Sequence, residues 1–191
     1  MQMAVSSPGK RRCPFSAMPP EDGRPGPATW ELGEYPARQD DYPVSGVSWY
    51  EAAAYAKFVG KRLPTIYEWR VAVGASIFSE ILDLSNFGSK GPAPVGSYSG
   101  LGPFGTYDMA GNVKEWCWNA TGNKRYILGG AWNDAAYMFM DDDAHPPLER
   151  LSAYGLRLVQ SVAQTPLTVL LLGRFRTLSC VITGRRSRSQ T

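Results

Sequence analysis

Apolar positions recur at helical spacing in two short stretches, and each stretch opens with its own cap. Trp49, Ala52, Ala53, Ala56 and Val59 follow Ser48-Trp-Tyr-Glu51. Ser48 is placed to cap and Glu51, three residues on, to close a capping box. Gly60 is placed to end that helix. The second box, Thr65-Ile-Tyr-Glu68, leads into Trp69, Ala72 and Val73, with Pro64 directing the approach of the chain. Two boxes this close predict two short, packed helices. Between Ala75 and Asn119 the pattern breaks into turns and short apolar pieces. Arg125–Trp132 then reads as a strand running into the glycine pair Gly129-Gly130, and Tyr154–Val159 alternates as a closing strand.

Composition fits one domain with a full core: 191 residues, 43% hydrophobic and 19% charged. Six Trp and ten Tyr beside twenty Gly and fifteen Pro predict a loop-rich fold held by aromatic anchors. Residues 1–27, rich in Pro, Gly, Ser and charge, read as a disordered leader. Residues 161–191 read as a basic tail with five Arg and no acid, so the overall charge of +3 hides a remainder at −2. No nucleic-acid footprint is expected on that remainder. Leu167–Leu172 is too short to cross a bilayer, and no apolar run follows the basic start, so neither a membrane nor a secretory signal is expected. A cytoplasmic location is the default. Cys13, Cys117 and Cys180 form no CxxC pattern and predict neither a disulfide framework nor a zinc site.

The densest chemistry lies in Gly105–Trp118. Asp108 and Glu115 flank Gly111-Asn112, so a tight turn brings both carboxylates to one point, with backbone carbonyls to complete an oxygen cage for a hard cation such as calcium. The spacing is not that of an EF-hand. The alternative is a metal-free turn in which Asn112 bonds the backbone and Glu115 pairs with an arginine such as Arg157. Trp49, Trp69, Trp116 and Trp132 are expected in the core, and Arg62 and Arg157 as bidentate braces. Asp141-Asp-Asp143 reads as a solvated charge run, and His145 beside a proline pair as a loop residue.

Five segments in order carry a family resemblance: Tyr42–Trp49, Lys61–Thr65 with Glu68-Trp69, Gly105–Trp118, Leu128–Trp132 and Gly155-Leu-Arg157. Together they resemble the formylglycine-generating enzyme (sulfatase-modifying factor) domain over roughly residues 28–160. The resemblance implies an α+β, C-type-lectin-like architecture, loop-rich, with two short helices on a twisted antiparallel sheet. Gly23–Gly33 and Glu115–Asn119 look like the variant found fused to bacterial serine/threonine kinases. The strand-rich entry of that domain has no counterpart here, so the resemblance implies a domain incomplete at its N-terminus and a fragment of a longer kinase-linked protein as one possibility.

Family activity implies two copper-binding cysteines shortly after the glycine pair. Counted from that pair, Asp134 and Phe139 stand at those positions, and neither supplies the soft thiolate that Cu(I) takes. Related iron oxygenases use histidines, and this chain has only His145. The resemblance also implies structural calcium on the Asp108 side chain, the Gly111 and Val113 carbonyls and the Glu115 side chain. A second family site would begin at Asn86 and Phe87, but its acidic loop has no counterpart before Pro94. The reading is therefore a pseudoenzyme: a non-catalytic lectin-like module for a peptide, glycan or protein ligand. The alternative is a metal-dependent oxidase of the formylglycine-generating type with an altered site.

Overall fold

The computed structural model describes residues 26–74 and 78–161. The leader expected over 1–27 and the tail over 161–191 lie outside the described residues, apart from Gly26, Pro27 and Ser161. Helix α1 spans Trp49–Phe58 and α2 spans Ile66–Val73. Both capping boxes form as read: the Ser48 and Thr65 hydroxyls accept the backbone N–H groups of Glu51 and Glu68, whose carboxylates reach back to the cap N–H. A third short helix, α3 (Phe78–Leu82), lies where only turns were expected. Its five residues are too few for a helical period to show.

The strands are β1 (Lys114–Thr121), β2 (Lys124–Leu128), β3 (Ala144–His145) and β4 (Tyr154–Leu156). They form one sheet in the order β3-β2-β1-β4. β2 and β4 fall within the stretches read as strands. β1, the central strand, was hidden among the expected turns. Lys114 to Cys117 are buried in succession, because this strand is covered on both faces, and a strand covered on both faces loses the alternation that marks a half-buried one. The sheet is also mixed: β1 runs antiparallel to β2 but parallel to β4. The long connection from β2 through β3 permits that return.

Neighbouring residues of β1 serve opposite cores. Trp116 joins Trp49, Ala52, Ala56 and Leu63 on the α1 side, and Cys117 joins Ile66, Trp69, Val73 and Phe139 on the α2 side. Ile127 and Leu128 of β2 divide in the same way. Indole N–H groups stitch the layers: Trp49 Nε1 donates to the Cys117 carbonyl and Trp116 Nε1 to the Val47 carbonyl, both at 2.8 Å. A buried tryptophan thus satisfies the loop backbone while its ring fills the core. Trp49, Trp69 and Trp116 are buried as expected, and Trp132 is partly buried.

Arg62 reaches both oxygens of Glu68, at 2.7 and 2.5 Å, and its backbone pairs with Val159. The pair joins the α2 cap to the end of the chain's core. The Arg62 guanidinium, first, and the Thr65 cap hold the Glu68 carboxyl down at about 2. A depressed carboxyl stabilises above its unfolded value of 4.5 and loses that contribution as pH falls toward 2. The pair is about 40% exposed, so Glu68→Gln should cost only roughly 0.5–1 kcal/mol at pH 7. Urea denaturation should show the gap to wild type closing between pH 4.5 and 2; a gap independent of pH would reject the ion pair as its source.

Candidate functional site

The Asp108–Glu115 segment enters β1 through two residues in the left-handed region, Asp108 at φ 53 and Asn112 at φ 65. Aspartate and asparagine tolerate this region better than other L-residues. Gly111 between them has φ 70, and a Cβ there would stand 2.4 Å from the Asn86 carbonyl oxygen, so only glycine fits. The turn is closed from outside. Asn112 Oδ1 accepts the Ala93 N–H at 2.8 Å and its Nδ2 donates to the Ala93 carbonyl at 3.1 Å, in the manner of a strand neighbour. Asn86 Nδ2 adds a bond to Asn112 Oδ1.

Glu115 is 1% exposed and still ionically matched. Arg157 Nε and Nη2 donate to its two oxygens at 2.8 Å, and Trp69 Nε1 donates to Oε2 at 2.8 Å. The same Nη2 donates to the carbonyls of Tyr107 and Asp108. Arg157 is buried, and burial brings its guanidinium down to about 9. Asp108 turns its carboxylate elsewhere, to the Gly96 N–H at 2.7 Å. Burial pushes that carboxyl up to about 6, while the Gly96 bond acts against the rise. The turn therefore gathers Asp108, Gly111, Val113 and Glu115 on one short segment but directs the two carboxylates to different protein partners. The contacts expected of a metal-free turn, Asn112 to backbone and Glu115 to Arg157, are present.

That donor set still suits a hard cation in part. A desolvated carboxylate on Asp108 and main-chain carbonyls are calcium chemistry. Glu115 suits it less, because a guanidinium already balances its charge.

The segment after the glycine pair begins with a cap. Asp134 Oδ2 accepts the Ala131 N–H at 2.9 Å and lies 3.4 Å from Lys114 Nζ. The 3-10 helix Ala136–Met140 follows. Phe139 on it is 1% exposed and packs against the Trp69 ring at 5.9 Å between centroids. Its neighbours point outward: Tyr137 is 80% exposed and Met140 50%. Both positions expected to carry family thiols thus hold structure instead. Cys117, the one cysteine among the described residues, is buried, and burial pushes its thiol far above the usual range. A thiol so held is neither nucleophile nor soft metal ligand.

A network that the sequence reading missed flanks this segment. Lys114 Nζ sits 2.5 Å from Asp143 Oδ2 as well as near Asp134. His145 lies between Asp143, 3.0 Å from Nε2, and Glu149, 2.9 Å from Nδ1, and packs on Tyr154. Arg70 engages Asp142. Asp141 and Asp142 stay exposed, as a solvated run would, whereas Asp143 is half-buried and paired, and His145 is a partly buried bridge rather than a plain loop residue. One signal was available: Asp143 and His145 are two apart in extended chain, which puts them on one face.

The model of the sulfatase-modifying factor enzyme 1-like domain family matches residues 26–162. The chain is similar to the serine/threonine-protein kinase pkn1 of Chlamydia caviae, 49% identical over 84 residues, which is 40% of this chain and 13% of the kinase. It is also similar to the inactive C-alpha-formylglycine-generating enzyme 2 of Bos taurus, 30% identical over 121 residues, 50% of this chain and 40% of that protein. The chain thus spans well under half the length of these relatives. Treponema denticola variable protein 1 shares the fold, with a TM-score of 0.58 at 22% identity over 75% of this chain and 78% of that one.

Removing one member of the Glu115–Arg157 pair strands a buried charge. Arg157→Met should cost about 3–5 kcal/mol. Adding Glu115→Gln should restore at least half of that loss, because it removes the stranded charge. Denaturation of the two single variants and the double checks this, and strictly additive losses would reject the coupling.

Proposed function

The chain belongs to the sulfatase-modifying factor enzyme 1-like domain family, and from that membership we propose that it is a non-catalytic, lectin-like binding module. The observation that carries the reading is the position of Asp134 and Phe139. Where the family resemblance implies a copper-binding thiol pair, one residue caps the glycine turn and the other plugs the core against Trp69. Beside this inert floor, Tyr137 and Met140 present aromatic and thioether surface to solvent. That pairing of rigid support with exposed, adaptable side chains suits recognition of a peptide, glycan or protein. The similarity to a relative named inactive supports the same reading. Similarity to pkn1 supports a place in a longer kinase-linked protein. No helix among the described residues is long and apolar enough to cross a membrane.

Two measurements test it. The full chain should show no Cu(I) binding and form no formylglycine on a cysteine-containing peptide. A ligand selected from peptide and glycan arrays on the wild type should bind Tyr137→Ala/Met140→Ala at least about tenfold more weakly, as for loss of exposed hot-spot residues. Tight copper binding with peptide oxidation would overturn the proposal in favour of an oxidase.

Structural calcium belongs to the same proposal. The Asp108 and Glu115 side chains with the Gly111 and Val113 carbonyls would hold it, and it would supply charge that offsets the burial of Asp108. Calcium at hundredfold excess over its dissociation constant adds about 2.7 kcal/mol of stability. The melting temperature of the wild type should therefore rise on titration, and those of Asp108→Asn and Glu115→Ala should not. The same rise in all three would reject the site.

A further inference from the structure

On the sheet face opposite Phe139, α1 and β1 leave a groove of about 420 Å³. Its floor is Ala53, Ala56 and Leu63, side chains small or flush enough to leave depth beside the helix. One wall is Trp118, 52% exposed, with its ring centroid 5.2 Å from that of buried Trp49. This indole leans on Trp49 with the two rings tilted by 45°, and about half of it is left to water. Arg125 braces this ring pair, its guanidinium 3.8 Å from the Trp49 ring centre and bonded to the Trp118 carbonyl. The rim is cationic. Lys57, Lys61 and Arg62 line the groove and no carboxylate does. Arg62 is held by Glu68, but among the described residues no ion pair engages Lys57 or Lys61.

This basic rim stands out on a domain whose described residues carry more acids than bases. The last carbonyls of α1 are taken by the N–H groups of Val59, Gly60 and Lys61, so the two ammonium groups are not tied up in bonds to them, and their charge offsets the negative helix end that an anion would otherwise meet. A ten-residue helix is about 15 Å long, room for four or so residues of extended chain.

From the groove, its half-open tryptophan and its unbalanced lysines, we infer that this face is a docking site for an extended acidic peptide segment of a partner protein. Carboxylates of the segment meet Lys57 and Lys61, and an apolar side chain between them lies against Trp118 over the alanine floor. The site lies across the sheet from Tyr137 and Met140, so it stands or falls separately from the ligand surface proposed there.

The test is fluorescence anisotropy on the full chain at low salt, about 50 mM, where surface charge is weakly screened. The probe is a labelled ten-residue peptide of Asp and Glu with one central Leu. The expected result is saturable binding that weakens with added salt, weakens at least about tenfold in Lys57→Glu/Lys61→Glu, and weakens about as much in Trp118→Ala. All these side chains are on the surface, and unchanged melting temperatures verify that the variants fold. Tyr137→Ala should bind the probe as the wild type does. Absence of binding, equal binding of the Asn/Gln version of the peptide, or an unaffected lysine variant would overturn the inference. Equal affinity for a single-stranded oligothymidylate would also overturn it, replacing a peptide site with a general polyanion site.

Discussion

The structure turns on one buried ion pair. Glu115 lies on the central strand with almost no exposure, and Arg157, from just beyond the closing strand, meets both of its oxygens. Trp69 brings the second helix to the same carboxylate, and the spare reach of Arg157 fixes the Tyr107 and Asp108 carbonyls at the mouth of the turn. One carboxylate thus gathers a helix, two strands and a loop. In a protein with little regular secondary structure this substitutes for long ladders. Such a pair adds little net stability over apolar packing, because both charges are desolvated. Its contribution is to specify one arrangement of segments that hydrophobicity alone would leave interchangeable.

Around that hub, side chains supply hydrogen-bond partners to the backbone of the loops. The Asn112 amide stands in for a peptide group beside Ala93, and Trp49 and Trp116 exchange N–H bonds between the α1 entrance and the central strand. Loops in a core carry backbone groups that must find partners. Indoles and amides are the side chains that can provide them without losing apolar volume. The abundance of tryptophan and glycine is the compositional trace of this solution.

The same economy bears on function. Asp134 and Phe139 occupy the segment where chemistry is implied by family, and each is committed to holding the backbone or the core. What remains available to a partner is surface: Tyr137 and Met140 on one side of the sheet, Trp118 with its lysines on the other. A scaffold whose interior is fully occupied by structural tasks is suited to recognition, since surface side chains change without cost to the core.

Local rules made much of this legible in advance. Both capping boxes, the glycine stop at Gly60 and the buried Trp49, Trp69 and Trp116 follow from spacing and side-chain chemistry within a few residues. The arginine partner of Glu115 was legible only as the alternative to a calcium site, because local sequence does not say what a carboxylate meets across the fold. The central strand, the parallel pairing of β1 with β4 and the Lys114–Asp143–His145–Glu149 network were not legible. A strand covered on both faces has no alternation to read, five residues cannot reveal α3, and ion pairs between segments depend on which loops the sheet brings together. By itself the sequence determined the two capped helices, the aromatic anchors and the turn around Gly111, because each is set by local sterics and hydrogen bonding. Only the tertiary structure decided how charges are paired and which side chains are left outside, because both depend on contacts between residues far apart in the chain.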